Sequence, residues 1–200
     1  MRPGRQRHAY TYGDYLVLEG DAPNVRHEFI DGEIVAMAGG SELHSALIAA
    51  VTGELYGQLR GTACGLRDSN IRVHVRATGN AFYCDALIVC GAADVIREMR
   101  SGDSLLNPAV IIEVLSPSTE DYDRGAKFED NYRFIPSLRE YVVVAQDEVS
   151  IEVRSRDDEG RWMSRVFREG HTVVLAAVSC TLDVDRIYLE ARKNTGAPSV

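Results

Sequence analysis

Apolar residues recur every three or four positions between residues 41 and 59, which is the spacing of an α-helix with one buried face. The repeating positions are Leu43, Leu47, Ala50, Val51, Leu55 and Leu59. Ser41 stands directly before this pattern, and serine is a favoured N-cap because its hydroxyl accepts a hydrogen bond from a free amide of the first turn. The pattern therefore predicts a helix that begins after Ser41.

Two short strand-like runs predict a β-hairpin ahead of that helix. Residues 26–30 and 33–37 are joined by Asp31-Gly32, and Asp-Gly is a dipeptide that fits a two-residue turn with positive φ. We therefore expect these runs to pair as antiparallel neighbours.

The remaining pattern predicts further strands and a few helices. Ser118 is a candidate N-cap with Asp121 at capping-box spacing, which predicts a helix to about Arg133. The other expected elements are a short helix over 12–18, strands over 70–76, 81–90, 109–115, 140–145, 149–154 and 162–168, a loop over 91–107 and a helix near 183–192. Because strands and helices do not alternate regularly, the fold class predicted is α+β (α/β-like), with a mixed or antiparallel sheet.

The length of the chain favours one domain. Its 200 residues are 45% hydrophobic, which is enough for one core and rather little for two. Residues 10–192 are expected to form that domain, between a flexible N-terminal arm at 1–9 and a C-terminal tail at 193–200.

Composition excludes several classes of protein. No stretch approaches the roughly 20 apolar residues of a membrane span, and the start of the chain lacks an apolar signal core, so a soluble cytoplasmic protein is expected. The four cysteines contain no CxxC pair, which favours buried thiols over a zinc site or a disulfide framework. The net charge of −8 argues against non-specific binding of nucleic acid by the whole surface.

Two acidic residues stand alone in apolar runs. Glu113 lies in the middle of residues 109–115, and Asp85 is the one charged residue of 82–90. An unpaired charge in a buried strand is costly, so each needs compensation. Asp85 could instead accept a backbone amide, and Glu113 could pair with an arginine; the hypothesis carried forward is that both bind a divalent metal.

Hard carboxylate oxygens are the ligands that Mg²⁺ and Mn²⁺ prefer. A metal held in this way can stabilise charge on a phosphoryl group and activate water. Lys127 could orient that water or stabilise charge, although a surface ion pair with Asp123, one helical turn earlier, also explains it. Together these residues indicate phosphodiester hydrolysis.

Longer motifs resemble a known family. Besides Cys84-Asp85, they are residues 108–119 (PAVIIEVLSPST), the elements Asp121-Tyr122-Asp123-Arg124-Gly125-Ala126-Lys127 and Tyr132, residues 135–141 (IPSLREY), the hairpin residues 28–33 (EFIDGE), and His44. Over about residues 10–156 the chain is similar to the restriction-endonuclease-like family within the PD-(D/E)xK nuclease superfamily.

The resemblance implies a fold and a site. The fold would be restriction-endonuclease-like, a central mixed sheet flanked by α-helices, in a DNA-cleaving enzyme that uses Mg²⁺, with Mn²⁺ as a substitute, and that is often a homodimer. Asp85 and Glu113 would be the metal-binding acids, Glu28 an auxiliary acid and Lys127 the superfamily lysine.

The chain departs from the superfamily pattern at two positions. Cys84 stands where the pattern has proline, and Leu115 stands two residues after Glu113, where the simplest motif has lysine. Activity then depends on Lys127 reaching the site from the following helix. Otherwise the fold would be a catalytically idle, dimeric interaction module, which is the alternative function; hydrolysis of another phosphoester is a third.

Two further groups have open interpretations. His44 could contact a phosphate or a metal-bound water, or be a surface histidine. Arg72, His74 and Arg76 alternate along one predicted strand and so share a face, which could meet a phosphate backbone or simply face solvent.

Overall fold

The computed structural model describes residues 9–37, 39–117 and 119–193. Within these ranges the α-helices are α1 (Tyr12–Asp21), α2 (Glu42–Leu59), α3 (Glu120–Arg124), α4 (Ala126–Glu129) and α5 (Val184–Arg192), and 3-10 turns span Tyr132–Phe134 and Ala176–Val178. The strands are β1 (His27–Ile30), β2 (Glu33–Ala36), β3 (Cys64–Asp68), β4 (Arg72–Val75), β5 (Asn80–Tyr83), β6 (Ala86–Cys90), β7 (Val95–Ile96), β8 (Ser104–Leu105), β9 (Val110–Val114), β10 (Glu140–Val144), β11 (Ser150–Arg156), β12 (Trp162–Arg168), β13 (Thr172–Leu175) and β14 (Cys180–Asp183). Residues 1–8 of the predicted arm, residues 194–200 of the predicted tail and the predicted cap Ser118 lie outside the described residues.

Most of these strands form two six-stranded sheets. The central sheet has the order β12-β11-β10-β9-β6-β3, and the second sheet has the order β2-β1-β5-β4-β8-β7. Both are mixed, because β9 runs parallel to β10 and β4 runs parallel to β8, while the other pairs are antiparallel. Strands β13 and β14 form a separate two-stranded ribbon.

The central sheet has a hydrophobic core on each face. Along β9, Val110 and Ile112 pack with helices α2 and α5, whereas Ile111 packs with Phe128 of α4 and Phe82 of the second sheet. This alternation follows from the period of two in a β-strand. The architecture confirms the predicted α+β class with mixed sheets flanked by helices.

The two clearest predicted elements are confirmed. Helix α2 begins after Ser41, whose side chain accepts a hydrogen bond from the amide of His44, and Leu47, Val51, Leu55 and Leu59 are buried. In the hairpin, Asp31 and Gly32 both have positive φ, at 49° and 82°, and Ile30 pairs with Glu33.

The predicted strand over 81–90 is wrong in one respect, because it is two strands that belong to different sheets. Strand β5 pairs with β1 and β4 in the second sheet, whereas β6 pairs with β3 and β9 in the central sheet. The chain passes from one sheet to the other at Cys84 and Asp85. The uninterrupted apolar run concealed this break, because both halves are buried.

The predicted helix up to Arg133 is also wrong as a single element, since it is divided into α3, α4 and a 3-10 turn. The break lies at Gly125, which has φ −104° and ψ −107°. A Cβ atom at this position would lie 2.7 Å from the carbonyl oxygen of Asp121, so the close approach requires glycine. The helical spacing was clear in the sequence, but the backbone approach that interrupts it was not.

Several short elements had no sequence signal. Strands β7 and β8 lie inside the predicted loop over 91–107, and residues 172–183 contain the β13–β14 ribbon. A two-residue strand is too short to show alternation. Across the described helices, none combines the length and apolar character needed to cross a bilayer.

The preference for four thiols is wrong for one pair of cysteines. Cys64 and Cys90 face each other across β3 and β6 and form a disulfide. Cys84 and Cys180 are buried thiols, as predicted. The two bonded residues are 26 positions apart, so only the strand pairing brings them together.

Candidate active site

All five site residues singled out from the sequence line one cavity of about 450 Å³. They are Glu28, His44, Asp85, Glu113 and Lys127. Each comes from a different part of the chain: the hairpin, the start of α2, the crossing between the sheets, β9 and α4. Their roles stay predictions, but their convergence is an observed property of the fold.

Asp85 and Glu113 occupy opposed positions at the end of the β6–β9 pair. Ala86 pairs with Ile112 in this antiparallel register, so the next position places Asp85 opposite Glu113, and directly opposed residues share a face. The Oδ2 atom of Asp85 accepts a hydrogen bond from the amide of Val114 at 2.7 Å. Asp85 thus has the backbone-amide partner that its alternative interpretation expected, and it also lines the cavity.

Lys127 lies among acidic side chains and is only 4% exposed. Its Nζ atom is 3.0 Å from Oε1 of Glu113, 3.1 Å from Oε1 of Glu28 and 3.4 Å from Oδ1 of Asp123. It also donates a hydrogen bond to the carbonyl oxygen of Tyr83 at 3.3 Å. We call Lys127 with Glu28, Glu113 and Asp123 the lysine cluster.

This geometry answers two questions left by the sequence. Leu115 is buried in the core, and Lys127 reaches the cavity from α4, as the predicted activity requires. The surface-pair interpretation of Asp123 and Lys127 is wrong in its location, because the pair exists but both residues are buried.

Burial and the surrounding charges perturb the ionisable groups of the cavity. Burial opposes the charged form of Lys127, but Glu113 and the other nearby acids outweigh it and hold its pKa well above the usual value. Burial raises the pKa of Glu113 well above its usual value, against the opposing effect of Lys127. Burial likewise raises the pKa of Asp85, although the Val114 amide and His44 favour its ionised form. The cavity therefore holds more acidic groups than its own cations neutralise.

The donor set fits a hydrated divalent cation better than a cage made by the protein. The described residues contain no group of three or more His, Cys, Asp or Glu side chains arranged to hold a metal. Mg²⁺, however, usually keeps several waters and binds one or two carboxylates. The bonds described above use Oδ2 of Asp85 and Oε1 of Glu113, and the second oxygen of each carboxylate makes no hydrogen bond within the described ranges.

His44 contacts the strand that carries Glu113. Its Nε2 atom donates a hydrogen bond to the carbonyl oxygen of Val114 at 2.9 Å and lies 3.5 Å from Oδ2 of Asp85. The ring fits because residue 40 is glycine: a Cβ atom there would lie 2.6 Å from Nδ1 of His44. His44 is thus part of the cavity wall and not a freely exposed side chain.

Three further contacts at the site had no assigned role from the sequence. Tyr132 donates a hydrogen bond from its hydroxyl to Oε1 of Glu113 at 3.2 Å. The amide of Tyr83 donates to Oε1 of Glu28 at 3.3 Å, and Asp123 contacts Lys127. The four-residue spacing of Asp123 and Lys127 was a usable signal, whereas the role of Tyr83 depends on its backbone and left no trace in the sequence.

Both open interpretations of the Arg72, His74 and Arg76 row, a phosphate-facing face and a solvent-facing face, are wrong for Arg72, whereas Arg76 lies beyond β4 and is exposed. Arg72 is fully buried, and its guanidinium donates to the hydroxyl of Ser104 and to the carbonyl oxygens of Ser101 and Gly102 at 2.9–3.0 Å. A buried arginine needs such partners, so it is unavailable to a phosphate backbone. The ring of His74 packs against the tilted ring of Tyr12 of α1, with the centroids 4.4 Å apart.

Comparison with known proteins identifies the family of this chain. The family model described as "Putative restriction endonuclease" (Uma2) matches residues 12–185. Two uncharacterised proteins of Synechocystis sp. are similar: slr1290 is 32% identical over 175 residues, covering 88% of this chain and 89% of that protein. The other, sll1609, is 29% identical over 153 residues, covering 76% and 84%.

A solved structure has a similar fold. It is a crystal structure from Anabaena variabilis described as a "putative nuclease belonging to DUF820", with a TM-score of 0.64 and 15% sequence identity, covering 82% of this chain and 90% of that chain. At this identity the similarity concerns the fold alone. With the match to the family model over most of the chain, the conclusion is that this protein belongs to the Uma2 family of restriction-endonuclease-like proteins.

Proposed function

We propose that this protein is a metal-dependent DNA endonuclease that hydrolyses phosphodiester bonds at the cavity of the lysine cluster. The observation that carries the proposal is the position of Lys127, a charged amine buried in direct contact with Glu113. Burying a charge is costly unless it is paired, and here the pairing occurs on the wall of an open cavity. Family membership and the nuclease-like fold support the same activity class.

In this proposal Asp85 and Glu113 hold Mg²⁺, or Mn²⁺ in its place. The bound metal would stabilise phosphoryl charge and lower the pKa of a coordinated water. Glu28 would hold Lys127 in position as an auxiliary acid. DNA as the substrate and a homodimer as the assembly are expectations from the family resemblance.

Lys127 would act as a cation and hydrogen-bond donor. Its raised pKa keeps the ammonium protonated near neutral pH, so it is not suited to remove a proton from water. A fixed positive charge beside the reacting phosphate lowers the barrier by electrostatic stabilisation. His44 donates a hydrogen bond to the carbonyl oxygen of Val114 and would help to keep Asp85 and Glu113 at their opposed positions.

Plasmid cleavage with Mg²⁺ or Mn²⁺ tests the proposal. The variants Asp85→Asn and Glu113→Gln should each reduce the rate about 100-fold or more, the scale of losing a charge-stabilising group. Glu140→Gln is a matched control, because Glu140 is a buried glutamate on β10, the strand next to Glu113, and does not line the cavity. Cleavage that survives both site substitutions would contradict the assigned site.

Metal binding gives a second readout that does not depend on activity. Titration calorimetry with Mn²⁺ should show heat for the wild type and for Glu140→Gln, and none for Glu113→Gln. At a metal concentration of 100 Kd, the wild type should gain about 2.7 kcal/mol of stability. No heat from the wild type would favour the alternative, a catalytically idle, dimeric interaction module.

A further inference from the structure

We infer that the cavity accepts an unpaired nucleotide, with its phosphodiester at the lysine cluster and its base against an apolar wall formed by Ile30, Val35 and Met37. This inference rests on the proposed function, and it specifies the substrate as single-stranded or locally unpaired DNA. The three residues all line the same cavity as the acids.

The strand register joins the apolar wall directly to the acids. Glu28 of β1 is paired with Val35 of β2, and directly opposed residues of an antiparallel pair project from the same face. Ile30 lies two residues after Glu28, and Met37 lies two residues after Val35. Because side chains alternate between faces with a period of two, both project from the same face as Glu28 and Val35. One surface of the hairpin therefore carries Glu28, an acid of the lysine cluster, with apolar side chains beside it.

These apolar side chains are open to the cavity. Val35 is 44% exposed and Met37 is 37% exposed, although both lie beside the buried lysine cluster. A cavity of about 450 Å³ falls within the range of sites that enclose a small organic ligand. A nucleobase offers a flat, weakly polar surface that can cover such residues, whereas the sugar-phosphate backbone of a duplex cannot.

The charges around the cavity also favour an unpaired strand. Binding to a duplex depends on several lysines or arginines that neutralise phosphates along a surface. Among the described cavity residues, Lys127 is the one lysine or arginine, and it already contacts three carboxylates. Without a track of cations, a larger share of the affinity has to come from contacts to the base, whose face is accessible in an unpaired strand and stacked inside a duplex.

The test compares a labelled single-stranded oligonucleotide with a blunt-ended, fully paired duplex of the same sequence and length, in cleavage with Mg²⁺ and in fluorescence anisotropy with Ca²⁺. We expect the single strand to have the higher kcat/KM and a binding constant that depends only weakly on salt. The double variant Val35→Ser with Met37→Ser should raise KM and the dissociation constant for the single strand about 10-fold, equivalent to about 1.4 kcal/mol of lost apolar contact. Its kcat should change less than twofold.

The chain contains a closely matched control. Met163 and Val166 are also exposed, at 63% and 48%, and lie on β12, which is the edge strand of the central sheet as β2 is of the second. Replacing both with serine should leave KM unchanged. Equal KM values for the two double variants, or a preference for the duplex, would overturn the inference.

The outcomes separate this inference from the proposed function. Cleavage of the duplex alone, lost in Asp85→Asn, would keep the nuclease and reject the unpaired substrate. Failure of the wild type to bind or cleave either DNA with any of the metals would reject both.

Discussion

Glu113 and Glu152 occupy neighbouring positions across the strands of the central sheet, yet their surroundings differ. Val143 of β10 is paired with Glu113 of β9 on one side and with Glu152 of β11 on the other. Glu113 shares one lysine with two further acids in the lysine cluster. Glu152 instead contacts Arg124 at 2.6 Å and Arg154 at 2.9 Å, and we call these three residues the arginine cluster.

The balance of charge distinguishes a candidate site from a structural contact. In the arginine cluster, the pKa of Glu152 lies below its usual value, because its hydrogen bonds and the nearby arginines outweigh the effect of burial. In the lysine cluster, burial raises the pKa of Glu113. Glu152 contacts two arginines, which also contact Glu120 and Glu129, whereas Glu113 shares its one lysine with Glu28 and Asp123. Two glutamates at equivalent positions in the sheet therefore differ in the number of cations that each one contacts.

The largest expected difference in stability comes from removing one cation from each of the two clusters. Lys127→Met leaves three buried acids without their cation and should lower the free energy of unfolding by about 3–5 kcal/mol, as for a broken buried ion pair. Arg124→Met should cost only about 1 kcal/mol, because Arg154 still neutralises Glu152 and the site is partly exposed. Urea denaturation without added metal measures both. Equal losses would remove the distinction between the clusters.

A smaller effect should depend on pH. Glu152→Gln should lower the free energy of unfolding by about 1–2 kcal/mol at pH 7, the scale of hydrogen bonds to a charged group. Since the folded-state pKa of Glu152 is lowered from the usual 4.5, its stabilising contribution is present above that value and is lost as the pH falls through the folded-state pKa. Wild type and variant should thus converge in stability as the pH falls below the usual pKa of 4.5 and through the lower folded-state pKa. A difference that stays constant into acid would show that the charge of Glu152 is not the cause.

The smallest effects concern two hydroxyls, one that donates a hydrogen bond to Glu113 and one that donates to Glu152. Tyr132→Phe removes a buried donor to Glu113 and should cost about 1–2 kcal/mol. Ser164→Ala removes the 2.8 Å bond to Glu152 at an exposed position and should cost about 0.5 kcal/mol or less. Thermal unfolding of the two variants measures these two losses of stability. Tyr122→Phe is the control: its buried hydroxyl has no hydrogen-bond partner among the described residues, so a loss of stability there would indicate an effect of the ring and not of hydrogen bonding.

Local signals in the sequence were sufficient for the elements they control. The Asp31-Gly32 turn and the Ser41 cap depend on neighbouring residues only, and both are confirmed. The same reasoning failed where distant parts of the chain set the conformation. The apolar run over 81–90 did not reveal the transfer between sheets at Asp85, and the helical spacing after Thr119 did not reveal the close backbone approach at Gly125.

For the candidate site, the motif predicted the residue set but not its electrostatics. It identified the five cavity residues. Strand alternation separately left Arg72 facing either a phosphate backbone or solvent, although the side chain is fully buried. Helical spacing likewise offered a surface pair of Asp123 with Lys127, although both are buried. Both errors arose because spacing along the chain reports the face of an element, while the partner that covers this face comes from another part of the chain.

The sequence alone determined which residues are candidates, because the cost of burying a charge makes an isolated acid in an apolar strand informative wherever it occurs. Only the tertiary structure decided which acids share a cation. Lys127 could have faced solvent or the cavity with the same local sequence, and packing of α4 against β9 and the hairpin places it beside Glu113 and Glu28. The physical reason is that electrostatic interactions depend on distance in space, and the contacts that set those distances join residues up to 99 positions apart.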